Sequence, residues 1–370
     1  MTYNEKRILD TLSREGALSK RDITSRCGMG WATAVKMVAR LEEQGFIRPE
    51  GGERRKNAGV SPTVYSLSRT QPVALGIDVE YSRVHASIRN LRGEILEDRK
   101  LVTPTFGSPE DLIDFLADLA DDFFRKAQER GMRLEGVGIG VPNHLFSDQA
   151  VLCDRIAKEL GERLGLPVRA DNNIRCFAEA VARFEPAGNS GLVVTIRSGI
   201  GVGIVIDGKV YQGERGRAGE LGHFLVDPTG SRCRCGKVGC LETLVNRDAL
   251  ARSANEALAG SDQAANGTAI LPSLFTAARA GNARASAVVF EAAERLGGAL
   301  ARLLLVMDIG SVLLYAAFGP DGDVMESLIE KVILSEVYPG LEFKLRYREL
   351  DEDSYVTGAA YLVLRDFVMA

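Results

Sequence analysis

Between Gly219 and Glu242 the chain runs GELGHFLVDPTGSRCRCGKVGCLE, which places one imidazole, His223, and three thiols, Cys233, Cys235 and Cys240, in a short segment. Gly236 and Gly239 lie among them and permit the tight reversal that brings Cys235 and Cys240 to one point. An imidazole and three thiolates fill all four positions of a tetrahedral Zn²⁺ and leave none open, the arrangement of a structural site. A disulfide, or four unrelated residues, are the competing readings. Cys233 and Cys235 are too close in sequence to bridge comfortably, and nothing in the chain points to an oxidising compartment. Spaced His and Cys ligands in such a chain favour zinc. The other cysteines, Cys27, Cys153 and Cys176, read as small buried thiols.

GELGH followed by CxCGxxGCLE resembles the signature of the ROK family, which contains bacterial sugar kinases and sugar-responsive transcriptional repressors. The resemblance implies that Glu220, His223 and Glu242 also contact a sugar, so that a structural zinc holds up one wall of a ligand site. The chemistry agrees, because carboxylates accept hydrogen bonds from vicinal hydroxyls and a metal fixes the orientation of its imidazole.

Charge separates the N-terminal segment from the rest. Residues 1–69 carry thirteen Lys/Arg against eight Asp/Glu, a balance of +5; with −4 for the whole chain, the remainder carries −9. A basic head on an acidic body places any polyanion at the head. Within it, residues 4–15 show a helical apolar pattern through Ile8, Leu9 and Leu12, and Gly16 ends it. Ser19 is an N-cap for a second helix through Cys27, with Asp22 as an imperfect capping-box partner. Gly28 turns the chain into a third helix over about 30–44, whose Ala34, Met37, Val38 and Leu41 form its buried stripe. Phe46–Arg48 and Thr63–Leu67 read as short strands around a loop holding Gly51, Gly52, Arg54, Arg55 and Lys56. That order is a winged helix-turn-helix with a basic wing, although a three-helix bundle without DNA is the plainer alternative. Thr33, Lys36, Arg40, Arg54, Arg55 and Lys56 are the candidate DNA contacts. Trp31, the single Trp, either joins them or caps the bundle.

From Val73 the pattern switches to period two: VALGIDV, RVHASIRN and GEILEDRKLV, then a helix over about 109–130 and the strand LEGVGIGV. LVVTIRS, GVGIVIDG and KVYQG repeat the strand–turn–strand–turn–strand unit, which makes the two look like internal copies. The expected fold is an N-terminal winged helix-turn-helix followed by a two-lobed α/β domain of the ribonuclease-H-like, or actin-like, kind. The expected boundaries are 1–68 for the head, 69–72 for a linker and 73–370 for the body. Within the body, lobe one spans about 73–188, lobe two about 189–350, and a last helix about 354–369.

Measured against what the resemblance implies for a kinase, three parts are altered. A first turn of the type Asp-x-Gly-x-Thr reads Asp78-Val79-Glu80-Tyr81-Ser82 here, with a carboxylate where phosphate would approach. The general base, Asp in an Asn-Asp pair, is replaced by Asn173 in Asp171-Asn172-Asn173; an amide accepts no proton at neutral pH but still hydrogen-bonds a hydroxyl. The second-lobe turn reads Arg197-Ser198-Gly199-Ile200-Gly201, and the late glycine cluster is reduced to Ala316-Ala317-Phe318-Gly319. The loop after Pro142 also departs from the family, and Asn143 or His144 is either a ligand contact or an ordinary loop residue. His85 reads as strand filler.

The expectation is therefore a repressor, not an enzyme, that binds operator DNA as a homodimer or homotetramer. It responds to a sugar or sugar phosphate at Asn172, Asn173, Glu220, His223 and Glu242, with structural Zn²⁺ on His223, Cys233, Cys235 and Cys240. An active sugar kinase with an added DNA-binding domain, or a regulator that no longer binds sugar, are the competing functions. No signal pattern and no apolar run of spanning length occurs, so a cytoplasmic location is expected.

Overall fold

The computed structural model describes residues 1–50, 62–142, 145–146, 149–185, 190–260 and 267–369. The expected wing residues Gly51, Gly52, Arg54, Arg55 and Lys56, and the loop residues Asn143 and His144, lie outside the described residues. The chain forms two compact units: Met1–Cys176 with Tyr355–Ala370 (unit 1), and Phe177–Ser354 (unit 2).

Unit 1 opens with helix α1 (Tyr3–Glu15), strand β1 (Leu18–Ser19), α2 (Lys20–Arg26), α3 (Trp31–Glu43), β2 (Ile47–Glu50) and β3 (Val64–Leu67). Each of the first two helices starts on a complete capping box, Thr2 with Glu5 and Ser19 with Asp22, which satisfies otherwise orphaned N–H groups. The Ser19–Asp22 pair, anticipated as imperfect, makes both of its bonds. The three strands form one antiparallel sheet in the order β1-β3-β2. Ile8, Leu9, Leu12, Ile23, Val38 and Leu41 are fully buried beneath it. Helix, helix, helix and sheet in this order make a winged helix-turn-helix.

A second sheet follows from β4 (Val73–Val79), β5 (Arg83–Asn90), β6 (Ile95–Val102), α4 (Pro109–Glu129), β7 (Leu134–Val141), α5 (Gln149–Leu164) and β8 (Val168–Asn172). Its order is β6-β5-β4-β7-β8, with β4, β5 and β6 antiparallel and β7 and β8 added in parallel. Every residue of the central β4 is buried, as expected of a strand covered on both faces, whereas the edge strand β6 is partly exposed along its length.

The chain passes into unit 2 within α6 (Asn173–Phe184) and continues through β9 (Gly191–Ile196), β10 (Ile200–Ile206) and β11 (Lys209–Tyr211). After the cysteine-rich segment come α7 (Glu242–Val245), α8 (Arg247–Ala257), α9 (Leu271–Arg279), α10 (Ala283–Met307), β12 (Ser311–Ala316), α11 (Asp323–Glu336) and β13 (Lys344–Glu349). The strand order is β11-β10-β9-β12-β13, three antiparallel strands and then two parallel ones. This is the topology of the first sheet over again, so the internal copy read from the strand patterns extends to the parallel half that the patterns had left incomplete.

The last helix, α12 (Asp353–Leu364), begins at the end of unit 2 and otherwise belongs to unit 1. It lies so close to β7 that a Cβ on Gly138 would meet the Ala359 carbonyl oxygen at 1.8 Å, which is why that strand carries glycine there. Ala360, Tyr361, Val363 and Leu364 of α12, with Val368 beyond it, share one apolar cluster with Ile8, Leu12, Val38 and Leu41 of the winged helix. Phe46 and Phe367 rings meet at 5.8 Å within the same unit. Burial of a side chain such as Leu364, 1% exposed, contributes about 1.5–3 kcal/mol. Among the described residues no helix is long and apolar enough to cross a membrane.

Candidate functional site

The segment after β11 closes on itself through two isolated bridges, Leu225 with Cys240 and Arg232 with Val238. Between them the Cys233 N–H donates to the Lys237 carbonyl at 2.8 Å, forming a knuckle that carries Cys233 and Cys235. Gly239 must be glycine: its φ is +78°, and a Cβ there would lie 1.5 Å from the Asp227 carbonyl oxygen. This close approach sets Cys240 opposite the knuckle.

One ligand atom from each of His223, Cys233, Cys235 and Cys240 lies within 4.8 Å of all the others. The Cys235 and Cys240 sulfurs are 3.6 Å apart, and Cys233 Sγ is 3.6 Å from His223 Nδ1. Sulfurs bound at about 2.3 Å to a tetrahedral ion stand about 3.8 Å from one another, so the donor set and its spacing fit zinc. All six cysteines are free, and 3.6 Å is far beyond a disulfide bond, so the disulfide reading is set aside. Burial works against the Cys235 thiolate, but the Lys237 N–H and the neighbouring thiols outweigh it and hold that thiol below its ordinary range. Burial, reinforced by the hydrogen bond from its thiol to Glu242 at 2.8 Å, raises Cys233.

Glu220 and Glu242 flank the imidazole. His223 Nε2 lies 3.6 Å from Glu220 Oε2, and His223 Nδ1 lies 3.7 Å from Glu242 Oε1. With Nδ1 facing the thiols, Nε2 faces the Glu220 carboxylate. Both carboxylates keep partial access to solvent, at 32% and 16%. The 198–199 turn abuts this group: a Cβ on Gly199 would sit 3.0 Å from Glu242 Oε2. Unit 2 thus brings Glu220, His223 and Glu242 together beside the four metal-ligand candidates.

Asn172 and Asn173 belong to unit 1, at the junction of β8 and α6. Asn172 is buried and its Oδ1 accepts the Ile174 N–H at 2.8 Å, capping α6, while Asn173 is half-buried. The neighbouring Asp171 accepts from the Arg175 Nε at 2.6 Å and from its own successor's N–H at 2.7 Å. That carboxylate is committed to holding the β8–α6 junction.

Around the turns at Arg197 and Phe318 of unit 2, the structure adds partners not singled out from the sequence: Glu352, Phe275, Tyr347 and Glu349. Arg197 is buried and its Nη2 lies 2.8 Å from Glu352 Oε2. Phe318 stacks between Phe275, at 4.2 Å, and Tyr347, at 5.9 Å. The Tyr347 hydroxyl bonds Glu349, and that carboxylate also accepts the Gly319 N–H at 3.0 Å. Phe275, Phe318 and Tyr347 come from three separate segments, α9, the loop after β12, and β13.

In the head, Trp31 is 57% exposed, Lys36 and Arg40 are exposed, and Thr33 is half-buried. Arg40 Nε lies 3.2 Å from Oε1 of Glu5, whose side chain is 1% exposed. The Thr-x-x-Glu spacing at Thr2–Glu5 was the available signal that Glu5 turns inward.

The sequence profile of the ROK family matches residues 74–366, and that of the MarR family residues 1–56. A relative from Caldicellulosiruptor sp. (strain Rt8B.4) is 29% identical over 258 residues, 67% of this chain but 64% of that relative's length. The xylose repressor of Caldicellulosiruptor bescii is 24% identical over 99% of this chain and 96% of its own. The crystal structure of a ROK family transcriptional regulator, a homolog of the E. coli MLC protein, has the same fold, with TM-score 0.77, 22% identity and coverage of 98% of this chain and 96% of that one. The ROK hexokinase of Thermus thermophilus is similar over 79% of this chain and 99% of its own, at 31% identity and TM-score 0.62. With its matched region spanning both sheets, the cysteine-rich knuckle and α12, the chain belongs to the ROK family.

Proposed function

We propose that the chain is a sugar-responsive transcriptional repressor whose winged helix binds operator DNA and whose body binds a sugar or sugar phosphate without phosphorylating it. The observation that carries this reading is the core shared by the winged helix and α12, the helix on which the chain returns from unit 2. It gives a covalent and packed route from the sugar-binding body to the DNA-binding head. Several relatives of similar sequence are named xylose repressors, which makes xylose the first effector to test.

Glu220, His223 and Glu242, with Asn172 and Asn173, are the proposed sugar contacts. Carboxylates accept from hydroxyl pairs, and amides both donate and accept. His223, Cys233, Cys235 and Cys240 would hold a structural Zn²⁺. When bound, the ion cross-links the knuckle and fixes the imidazole between its two carboxylates. The absence of catalysis is supported by Asn173 at the base position, by Glu80 in the first turn, and by the Phe275–Phe318–Tyr347 stack with Glu349 in the late loop. A carboxylate that already takes the Gly319 N–H opposes the approach of a phosphate. The head is proposed to act as a symmetric dimer or tetramer on a near-palindromic operator. By linkage, operator DNA must change sugar affinity by the same factor as sugar changes operator affinity.

The test is operator binding by the purified chain, with a sugar panel added. Sequence-selective binding that one sugar shifts supports the proposal, and its absence at moderate salt defeats it. The second reading, an active kinase carrying a DNA-binding head, is favoured by the similarity to the Thermus hexokinase. Sustained ADP release with any hexose, pentose or amino sugar would establish it instead.

A further inference from the structure

The exposed face of α3 has an unusual composition for a helix that reads base edges. In a helix-turn-helix the N-terminal residues of the second helix reach into the major groove. Bidentate recognition there is the work of Arg or Lys on guanine and of Asn or Gln on adenine, while cytosine is read by Asp or Glu and Ser or Thr is less selective. Between residues 31 and 39 the helix is Trp-Ala-Thr-Ala-Val-Lys-Met-Val-Ala: it has no Arg, Asn, Gln, Asp or Glu, and besides the indole only Thr33 and Lys36 carry a polar group. Ala34, Met37 and Val38 are buried in the head, which leaves Trp31, Ala32, Lys36 and Ala39 exposed and Thr33 and Val35 half-buried. The first turn carries neither an acid nor a base, and its N-cap, Gly30, makes no side-chain hydrogen bond.

Arg40, one turn beyond Lys36, is drawn toward α1 through its Nε. Its Nε faces the buried Glu5 at 3.2 Å, and Glu5 is in turn held by the Thr2 N–H at 2.6 Å. The guanidinium is thereby tied to the start of α1. What α3 offers a groove is a large indole, small apolar groups and a single ammonium. The one base-edge feature that apolar groups recognise is the thymine C5-methyl. The +5 balance of residues 1–69 supplies the attraction to the duplex and carries no sequence information.

Resting on the reading of the head as an operator-binding domain, we infer that α3 selects its half-site by thymine methyl groups. Trp31, Ala32 and Val35 form the contacting surface, and Lys36 makes the single polar contact, to a guanine edge or a phosphate. Trp31 is the specificity-determining residue: it is the largest exposed group at the end of the helix that enters the groove. Arg40, ion-paired through its Nε to Glu5, helps to position α3 against α1.

The experiment is selection of bound duplexes from a random library by the full-length chain, followed by titration of the selected duplex. The expected core of each half-site is a run of about three or four A·T pairs. Replacing each thymine by uracil removes only a methyl and is expected to weaken binding about fourfold per position. Emission of the sole Trp should change on saturation with the selected duplex. Trp31→Ala should weaken binding about tenfold and relax selection at the adjoining pairs, while Trp31→Phe keeps most of both. An exposed residue can be replaced without unfolding the head, and circular dichroism of each variant checks this. A guanine- or cytosine-dominated core, or equal affinity for thymine and uracil duplexes, overturns the inference while leaving the head a DNA-binding domain. Failure to select any sequence removes the reading beneath it as well.

Discussion

Arg197 and Glu352 form a buried ion pair, Nη2 to Oε2 at 2.8 Å, between the turn after β9 and the last residues of unit 2 before the chain returns to unit 1. The Arg197 side chain is 5% exposed and that of Glu352 26%, so the arginine depends on this partner far more than the glutamate does. Removing the glutamate takes a charge partner from an arginine with little access to solvent.

Glu352→Gln is therefore expected to destabilise unit 2 by about 2–3 kcal/mol, below the full cost of breaking a deeply buried pair because Glu352 reaches solvent. Adding Arg197→Met to that variant should recover part of the loss. Chemical denaturation of the four members of this double-mutant cycle checks it, and strictly additive effects would show that the pair is uncoupled.

One zinc per chain is expected by elemental analysis, with Cys240→Ala or Cys235→Ser reducing it to near zero. Thiol titration at pH 8 gives a second view. Burial pushes Cys153 up to about 12, so it stays protonated and unreactive in the native chain, and Cys27 and Cys176 are fully buried. The zinc-loaded protein should accordingly show almost no fast-reacting thiols, and chelation should release those of Cys233, Cys235 and Cys240. Fast reaction of Cys153 in the folded protein would contradict the packing.

Glu242→Gln and Glu220→Gln should each keep the zinc and lose most of the thermal stabilisation by the effector sugar. A ligand at one hundred times its Kd stabilises by about 2.7 kcal/mol, and a hundredfold weaker one by less than about 0.5 kcal/mol. Unchanged sugar shifts in both variants would move the ligand away from this wall of the site.

Asn173→Asp places a carboxylate at the proposed base position, and the variant is expected to stay inactive in an ADP-release assay. The Phe275–Phe318–Tyr347 stack and the Glu349 carboxylate would still fill the late loop. Turnover in this single variant would mean that the base was all that had been lost.

Leu364→Ala should cost about 2–5 kcal/mol, as for other large-to-small changes in a packed core, and should weaken operator binding although it lies far along the chain from α3. Melting of the head as an independent, unaffected transition would disprove that the two segments share a core.

Local spacing made much of this legible beforehand. The four zinc-ligand candidates fall within residues 223–240, and the period-two strands of each sheet's antiparallel half are consecutive in sequence. The capping residues Ser19 and Asp22 are three apart. What escaped was non-local. Strand β13 and helices α5, α8, α9 and α11 are bracketed by weak turn signals, and β8 ends in polar residues that were read for chemistry rather than structure. Glu352 faces Arg197 and Tyr347 faces Phe318 because parallel strands bring distant turns to one sheet edge, a juxtaposition that periodicity does not encode. The contact of Arg40 with Glu5 spans two helices, so the spacing within α3 did not show it.

The shared core of α12 and the winged helix also bears on biosynthesis. Residues 1–67 leave the ribosome first, but Tyr361, Leu364 and Val368, which cover one side of their interior, are translated only after residues 68–352. A nascent head thus carries an open apolar flank through nearly the whole of elongation. It attains its final packing only when the body has already been made, so an incomplete polypeptide carries a head whose interior is still open on one side.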